Sequence, residues 1–456
     1  MCMHQLVQRQ REYFNTGASV PKQFRIQQLK KLRSALKENE AALFEAIYSD
    51  FKKSQFDTYV TELALVYQDI DEAIRKMDNW TRKQRVRTNL VNFPARSYIL
   101  PEPLGVSLII GAWNYPIQLS LAPAVAAMAA GCTVVMKPSE MPAHTSTVLA
   151  KIIGETFPAE YFTVVEGGVP ETTELLNQRF DKIFFTGSTH VGKIVYKAAA
   201  KHLTPVTLEL GGKSPVFVTE NCSSLKLAVQ RIIWGAFLNA GQTCNSPDYI
   251  LVHRSKEVKF LELCKKEIAK RQIAVEHGNY SQIIDERNFD RLAALIDPDK
   301  VYCGGGTDRE QRIIEPTILQ QVSFDDEVMQ DEIFGPILPV IVYDDLDDAI
   351  NSVRKLPKPL SCYIFSNNSN EKKKVLERIS FGGGGANDVV SYIANPHLPF
   401  GGVGNSGIGK YHGEAGFQAF SNYKGILEKG NWLELPLKYY PYSKTKLWWI
   451  KQFFKF

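Results

Sequence analysis

The chain has 456 residues, 44% of them hydrophobic and 23% charged, with a formal net charge of +5. That length exceeds one simple core and fits two or three domains, and so small a charge argues against a nucleic-acid partner. Seven scattered cysteines form no CxxC pair and no zinc spacing, so no metal site is expected. Their odd number, with no secretory signal at Met1-Cys2-Met3-His4, points to a reducing compartment such as the cytoplasm.

The N-terminal part, to about Thr81, reads as amphipathic helices over Gln28–Leu36, Ala41–Ile47 and Thr61–Met77, a packing layer over a sheet. A basic stretch, Arg82–Arg87, and a partly alternating run, Val91–Ile99, follow; the run reads as a protruding strand for subunit pairing or as a solvated face. No charge occurs from Pro103 to Met136. That is long enough to mimic a membrane span. Asn114, Pro116, Gln118 and Pro123 break it into strand, turn, helix and strand, which favours a unit buried in an α/β domain.

From Val106 to Leu210, strand-like and helix-like runs alternate. The strands are Val106–Ile110, Thr133–Met136, Phe162–Val165, Ile183–Phe185 and Val206–Leu208. The helices between them are Ile117–Ala130, His144–Glu155, Glu171–Asn177 and Val191–Lys201. Such alternation predicts a parallel sheet with helices on both faces and ligands at the carboxyl ends of its strands. Asn114, Lys137, Gly187 and Glu209 each fall just beyond a strand. Beyond Gly211 the pattern resumes, with strands at Val216–Val218, Tyr249–Val252, Ile337–Val342 and Cys362–Phe365. Helices there are expected over Leu225–Leu238, Val258–Lys270, Leu346–Leu356 and Lys372–Ile379. The tail, 444–456, mixes aromatic residues with lysines. It reads as a helix packed on the body or a partner, with contact to a membrane surface as the alternative.

Gly402-Val403-Gly404-Asn405-Ser406-Gly407 matches GxGxxG, but no strand precedes it, so it reads as a tight glycine turn. Gly187-Ser188-Thr189-His190-Val191-Gly192-Lys193 resembles a P-loop, but Ile194 stands where magnesium binding needs Ser or Thr. A strand leads into Gly187 and a helix follows, so the loop is either a pyrophosphate cradle or an ordinary turn. Cys244 lies on a turn between a helix-like run and the strand at Tyr249. It is either a small buried hydrophobe or a nucleophile, and a nucleophile requires an exposed, electropositive or polar setting.

Six motifs, in this order, carry a resemblance to the aldehyde dehydrogenase superfamily: Gly111-Ala112-Trp113-Asn114-Tyr115-Pro116, Lys137-Pro138-Ser139-Glu140, Phe185-Thr186-Gly187-Ser188, Leu208-Glu209-Leu210-Gly211-Gly212-Lys213, Gly241-Gln242-Thr243-Cys244 and Glu332-Ile333-Phe334-Gly335-Pro336. Pro247-Asp248-Tyr249 and the run from Pro399 to Gly413 resemble the class 3 or fatty-aldehyde branch. The resemblance implies a Rossmann-like cofactor domain (1–81 and 103–210) and an α/β catalytic domain (211–415). It also implies an oligomerisation arm (82–102 and 416–443) ahead of the tail, and a homodimer.

It further implies Cys244 as nucleophile, the Asn114 amide and the Cys244 backbone N–H as oxyanion donors, and Glu209 as the base that hydrolyses a thioester to a free acid. Lys137 and Glu140 are expected at the adenosine ribose, Gly187 to Gly192 at the pyrophosphate, and Glu332 at the nicotinamide ribose with Phe334 beside it. Trp113, Phe185, Thr186, Ser188, Val191 and Leu210 complete the expected cofactor wall, and Tyr115, Asn245 and His412 the expected substrate pocket. Glu140 suits NAD, because a carboxylate accepts from a ribose 2′-hydroxyl and repels a 2′-phosphate; Lys137 nearby leaves NADP as an alternative. One departure is Asn245-Ser246, where the branch usually has an apolar residue and then alanine. Rival readings are a thiol hydrolase with no redox step, and a nucleotide-binding scaffold without activity.

Overall fold

The computed structural model describes residues 2–455. The described residues form four sheets, the smallest a two-stranded ribbon of Thr307–Asp308 with Ile313–Ile314, and the other three carry the chain. The first orders its strands Gly407–Ile408, Val206–Glu209, Lys182–Thr186, Val106–Ile110, Thr133–Lys137, Phe162–Val164, all parallel except Gly407–Ile408. Val106–Ile110 and Thr133–Lys137 are buried at every residue, which is why both are mostly apolar, without the alternation of a half-exposed strand. Helix Gln118–Ala130 is apolar all round because it is buried between this sheet and the N-terminal helices. Helix Met3–Asn15 covers the opposite face through Leu6 and Val7, with Leu175, Val195 and Ala199.

The second sheet is seven-stranded, in the order Val301–Cys303, Thr317–Leu319, Ile337–Tyr343, Tyr249–His253, Pro215–Val218, Ser361–Phe365, Gly383–Ala386. The third pairs Gln84–Val86 with Ala95–Pro103 and that strand with Ser421–Lys429, all antiparallel. Among the described residues no helix is long and apolar enough to cross a membrane.

The differences from expectation have local causes. The strand expected over Val91–Ile99 begins at Ala95, after a short 3₁₀ turn at Leu90–Asn92, because Pro94 has no N–H to give a ladder. Gly383–Ala386 escaped notice because a glycine run has no apolar period. Gly407–Ile408 returns from beyond residue 211 to pair with Leu208 and Glu209, so the first sheet does not end at residue 210. The tail forms a helix, Lys444–Phe453, that lines an apolar cavity on the arm through Ile450, with Phe454 just beyond, against Leu90, Val91, Phe93 and Leu435. Leu447, Trp448 and Trp449 stay exposed, and Phe456 lies outside the described residues.

In the first sheet the chain runs outward from Val106–Ile110 to Phe162–Val164, then resumes on the other side at Lys182–Thr186. The gap between Ile110 and Thr186 is therefore a topological switch point, where open parallel sheets leave a crevice.

Candidate active site

Helix Leu225–Phe237 ends in a turn that aims Cys244 at this crevice. Asn239, Ala240 and Gly241 all have positive φ (54°, 54° and 71°), strained for the first two. The strain is held by hydrogen bonds. Asn239 Nδ2 donates to the Asn114 carbonyl at 2.9 Å; Gln242 Nε2 donates to the Gln282 carbonyl and Gln242 Oε1 accepts from Ile284 N, both at 3.0 Å. Position 241 admits only glycine, since a Cβ there would lie 2.2 Å from the Gly335 carbonyl oxygen. Asn245 and Ser246 are buried anchors: Ser246 Oγ donates to the Gly235 carbonyl at 2.9 Å, and the Asn245 carbonyl accepts from Tyr363 Oη at 2.6 Å.

Two cavities meet at the Cys244 side chain. One, about 620 Å³, runs along the strand ends and is lined by Asn114, Lys137, Gly187, Glu209 and Glu332. The other, about 180 Å³, is lined by Val60, Leu65, Tyr115, Trp234, Ile393 and Phe400 among others. Asn114 faces the first and donates through Nδ2 to the Gln242 carbonyl at 3.0 Å, leaving its second amide hydrogen for another acceptor. Tyr115 borders the second, its hydroxyl 2.6 Å from Thr243 Oγ1.

The electrostatic setting differs from the one a reactive cysteine was expected to need. Cys244 is half-buried, and desolvation followed by the nearby Glu332 and Glu209 carboxylates pushes its thiol up to about 12. Backbone N–H groups of Asn245 and Cys244 oppose this only in part. Glu209 is buried at a strand end with no hydrogen-bond partner for either oxygen; burial holds it well above the usual carboxylate range, with Lys410 pulling the other way. Glu332 is raised to about 8, by burial and then by Asp248.

A prediction follows from these signs. Glu332 is ionised at pH 9 and largely neutral at pH 6, and an ionised carboxylate beside a thiol disfavours the thiolate. Glu332→Gln should therefore speed iodoacetamide alkylation of Cys244 at pH 9, by about threefold for half a pKa unit, and leave it unchanged at pH 6. Peptide mass spectrometry over time reads the rate. Equal rates of the two proteins at pH 9 would show that Glu332 does not influence the thiol.

Sequence comparison matches residues 2–426 to the Aldehyde dehydrogenase family. The 4,4'-diaponeurosporen-aldehyde dehydrogenase of Staphylococcus aureus (strain NCTC 8325 / PS 47) is 44% identical over 447 residues, 97% of either chain. The dimeric NADP-preferring aldehyde dehydrogenase of Rattus norvegicus is 47% identical over 425 residues, 93% of this chain and 94% of that one. The solved substrate-bound state of Staphylococcus aureus AldH superimposes with a TM-score of 0.96 at 43% identity, covering 100% of both chains. The chain belongs to the aldehyde dehydrogenase family. It catalyses NAD(P)-dependent oxidation of aldehydes.

The larger cavity of this aldehyde dehydrogenase suits a dinucleotide. Ser188 caps helix Thr189–Ala200, its Oγ accepting from Val191 N at 3.3 Å, so backbone N–H groups and the positive helix end face the cavity. Lys137 is buried at its strand end, 3.6 Å from Glu140, and both line the same cavity. Trp113 and Phe334 meet edge to face at 5.3 Å, and with Phe185, Thr186 and Leu210 they complete the wall. Gly192 packs against Leu210 instead, where an added Cβ would lie 2.7 Å away.

Three findings escaped sequence reasoning. Asn288 and Arg291, on helix Glu286–Ala294, also line the cofactor cavity. The N-terminal helices do more than cover the sheet: Val60, Thr61 and Leu65, in and just after a π-helical turn at Tyr59–Leu63, wall the smaller cavity. Beneath them a fully buried Lys53–Glu62 pair (2.7 Å) braces the Asn114 turn, with Glu62 Oε2 accepting from Ile117 N at 2.8 Å and Lys53 Nζ 4.0 Å from the Tyr115 ring. The only local signal was a lysine and a glutamate nine positions apart, which the sequence does not pair.

His412, expected at the substrate entrance, lines neither cavity. It is buried, stacked on Tyr411 at 4.1 Å and 3.5 Å from Asp69, beside a separate polar cavity with Trp80 and His397. Its φ is positive, at 75°, and its stacking partner Tyr411 does line the larger cavity.

Proposed function

We propose that this aldehyde dehydrogenase oxidises medium- or long-chain aliphatic or aromatic aldehydes to free acids by covalent catalysis at Cys244. The observation that carries the reading is the place of Cys244 at the meeting point of a dinucleotide-sized cavity and an apolar one. The Cys244 thiol gives up its proton to solvent, the thiolate sulfur adds to the aldehyde carbon, and the carbonyl π electrons move to oxygen. Asn114 Nδ2 and the Cys244 N–H hold that oxyanion. A nicotinamide held in the larger cavity would supply the two-electron oxidant, taking hydride from the carbon that Cys244 holds, so that Cys244 would keep the acyl group as a thioester. Glu209 takes a proton from the water that attacks the thioester; the C–S bond breaks and its electrons return to Cys244. Lys137 and Glu140 would hold the adenosine ribose and Glu332 the nicotinamide ribose, since all three line that cavity. The carboxylate of Glu140 supports NAD, and the NADP-preferring rat relative supports use of both.

The apolar walls support a hydrocarbon substrate, and exposed Phe56, Tyr59, Val60 and Trp234 extend the apolar surface outward. Dimerisation is supported by the free edge of Ser421–Lys429, by exposed Leu90, Phe93 and Trp432 on the arm, and by the dimeric rat relative. The exposed tail residues Leu447, Trp448 and Trp449, with their lysines, suit contact with a lipid surface.

The test is reduced-nicotinamide absorbance with NAD and NADP separately, over aldehydes of two to twelve or so carbons. Each methylene taken into an apolar channel contributes about 0.8 kcal/mol, so kcat/KM should climb roughly fourfold per carbon until the channel fills. Deleting 444–456 should alter kinetics with long aldehydes more than with short ones; equal effects would remove the tail from substrate entry. A flat chain-length profile would remove the hydrocarbon reading.

A further inference from the structure

The glycine turn at Gly402–Gly407 lies outside the cofactor cavity, yet it ends against Glu209. Gly407 and Ile408 pair with Glu209 and Leu208, and Leu210 N donates to the Ser406 carbonyl at 3.1 Å. The segment then reverses and presents Lys410. Lys410 Nζ donates to the carbonyls of Gly382, at 2.9 Å, and of Gly401. Gly401 is where the lysine and the glutamate converge: a Cβ there would lie 2.7 Å from Glu209 Oε1 and 3.0 Å from Lys410 Cδ. Neither Glu209 oxygen has a hydrogen-bond partner, so the carboxylate depends on charge at close range.

We propose that Lys410 is a positioning residue for Glu209: tethered to the Gly382 and Gly401 carbonyls, it keeps a cation near the carboxylate without pairing with it and sets the pH above which Glu209 accepts a proton. This rests on the reading of Glu209 as the hydrolytic base. The other titratable groups facing Glu209 are Cys244 on the nucleophile turn, Tyr411 beside Lys410, and Tyr392. None of them is cationic. Burial raises Glu209 and Lys410 offsets that rise, while Glu209 in turn helps keep the partly desolvated Lys410 protonated.

The sign is definite. Removing the cation raises Glu209 further, so the base stays protonated to higher pH and thioester hydrolysis loses rate on the acidic side only. Lys410→Gln keeps donors for the two carbonyls and removes the charge; Lys410→Arg keeps the charge; Lys410→Met removes both. The experiment mixes each enzyme with NAD and a radiolabelled aldehyde across pH 5.5 to 9.5, quenches with acid, and follows decay of the labelled protein. Lys410→Gln and Lys410→Met should move the acidic limb of acyl-enzyme breakdown upward by about one pH unit, a roughly tenfold loss on that limb. Lys410→Arg should restore it.

A pH-independent loss in Lys410→Gln, or a limb that does not move, overturns the proposal and leaves Lys410 a structural tether. Glu209→Gln is run in parallel. If its acyl-enzyme decays at the rate of the unmodified protein, the assignment of Glu209 as base fails, whatever Lys410 does.

Discussion

Cys244→Ala should lower kcat for aldehyde oxidation by at least ~10⁴-fold while leaving dinucleotide binding intact. The Cys244 side chain borders both cavities, and none of the other six cysteines borders either one. Cys132, Cys222, Cys264 and Cys362 are buried, as a small hydrophobe would be. Cys244 is only half-buried, so losing its sulfur removes little packing and the turn, held by Asn239 and Gln242, stays formed. Reduced-nicotinamide absorbance measures turnover, and quenching of protein fluorescence by NAD measures binding. Turnover above one-hundredth of the unmodified rate would exclude Cys244 as the nucleophile. Lost binding together with lost turnover would point to a collapsed turn.

Glu209→Gln should lower kcat by about 10²–10⁴-fold, with a different signature. The amide cannot take a proton from water, but sulfur attack and hydride loss do not need it. Stopped-flow absorbance should therefore show a burst approaching one reduced nicotinamide per site, followed by a slow steady state, with the acyl group on Cys244 visible by mass spectrometry. Absence of a burst would assign Glu209 to an earlier step. In the unmodified protein, burial keeps the carboxyl neutral above the ordinary carboxylate range. Thioester hydrolysis should therefore rise with pH through a limb lying above that range.

The cofactor half of the site was legible because its residues sit at the ends of strands that announce themselves. Val106–Ile110, Thr133–Lys137 and Lys182–Thr186 are buried on both faces, so their middles are apolar, and the polar residues at or just beyond each strand's end are marked by position alone. The walls of the smaller cavity were not legible in this way. Val60, Thr61 and Leu65 lie among helical residues whose period reports burial, and burial against a sheet or against a cavity gives the same pattern. His412 lies outside both cavities although its stacking partner Tyr411 lines the larger one, and sequence adjacency does not tell which of two neighbouring rings reaches a cavity.

Strand order within each βαβ run, the turn chemistry before Cys244 and the residue types for thiol, oxyanion and base chemistry are local properties. They are written into spacing and composition, because a parallel strand must be apolar and a reactive turn needs a few polar residues in fixed order. Which distant segments meet is not local. The convergence of Lys410 on Glu209, the Lys53–Glu62 brace under Asn114, and the carboxylates that raise Cys244 all join residues from separate parts of the chain. Charges act through space at a strength set by burial, and burial exists only once the sheets and helices have packed.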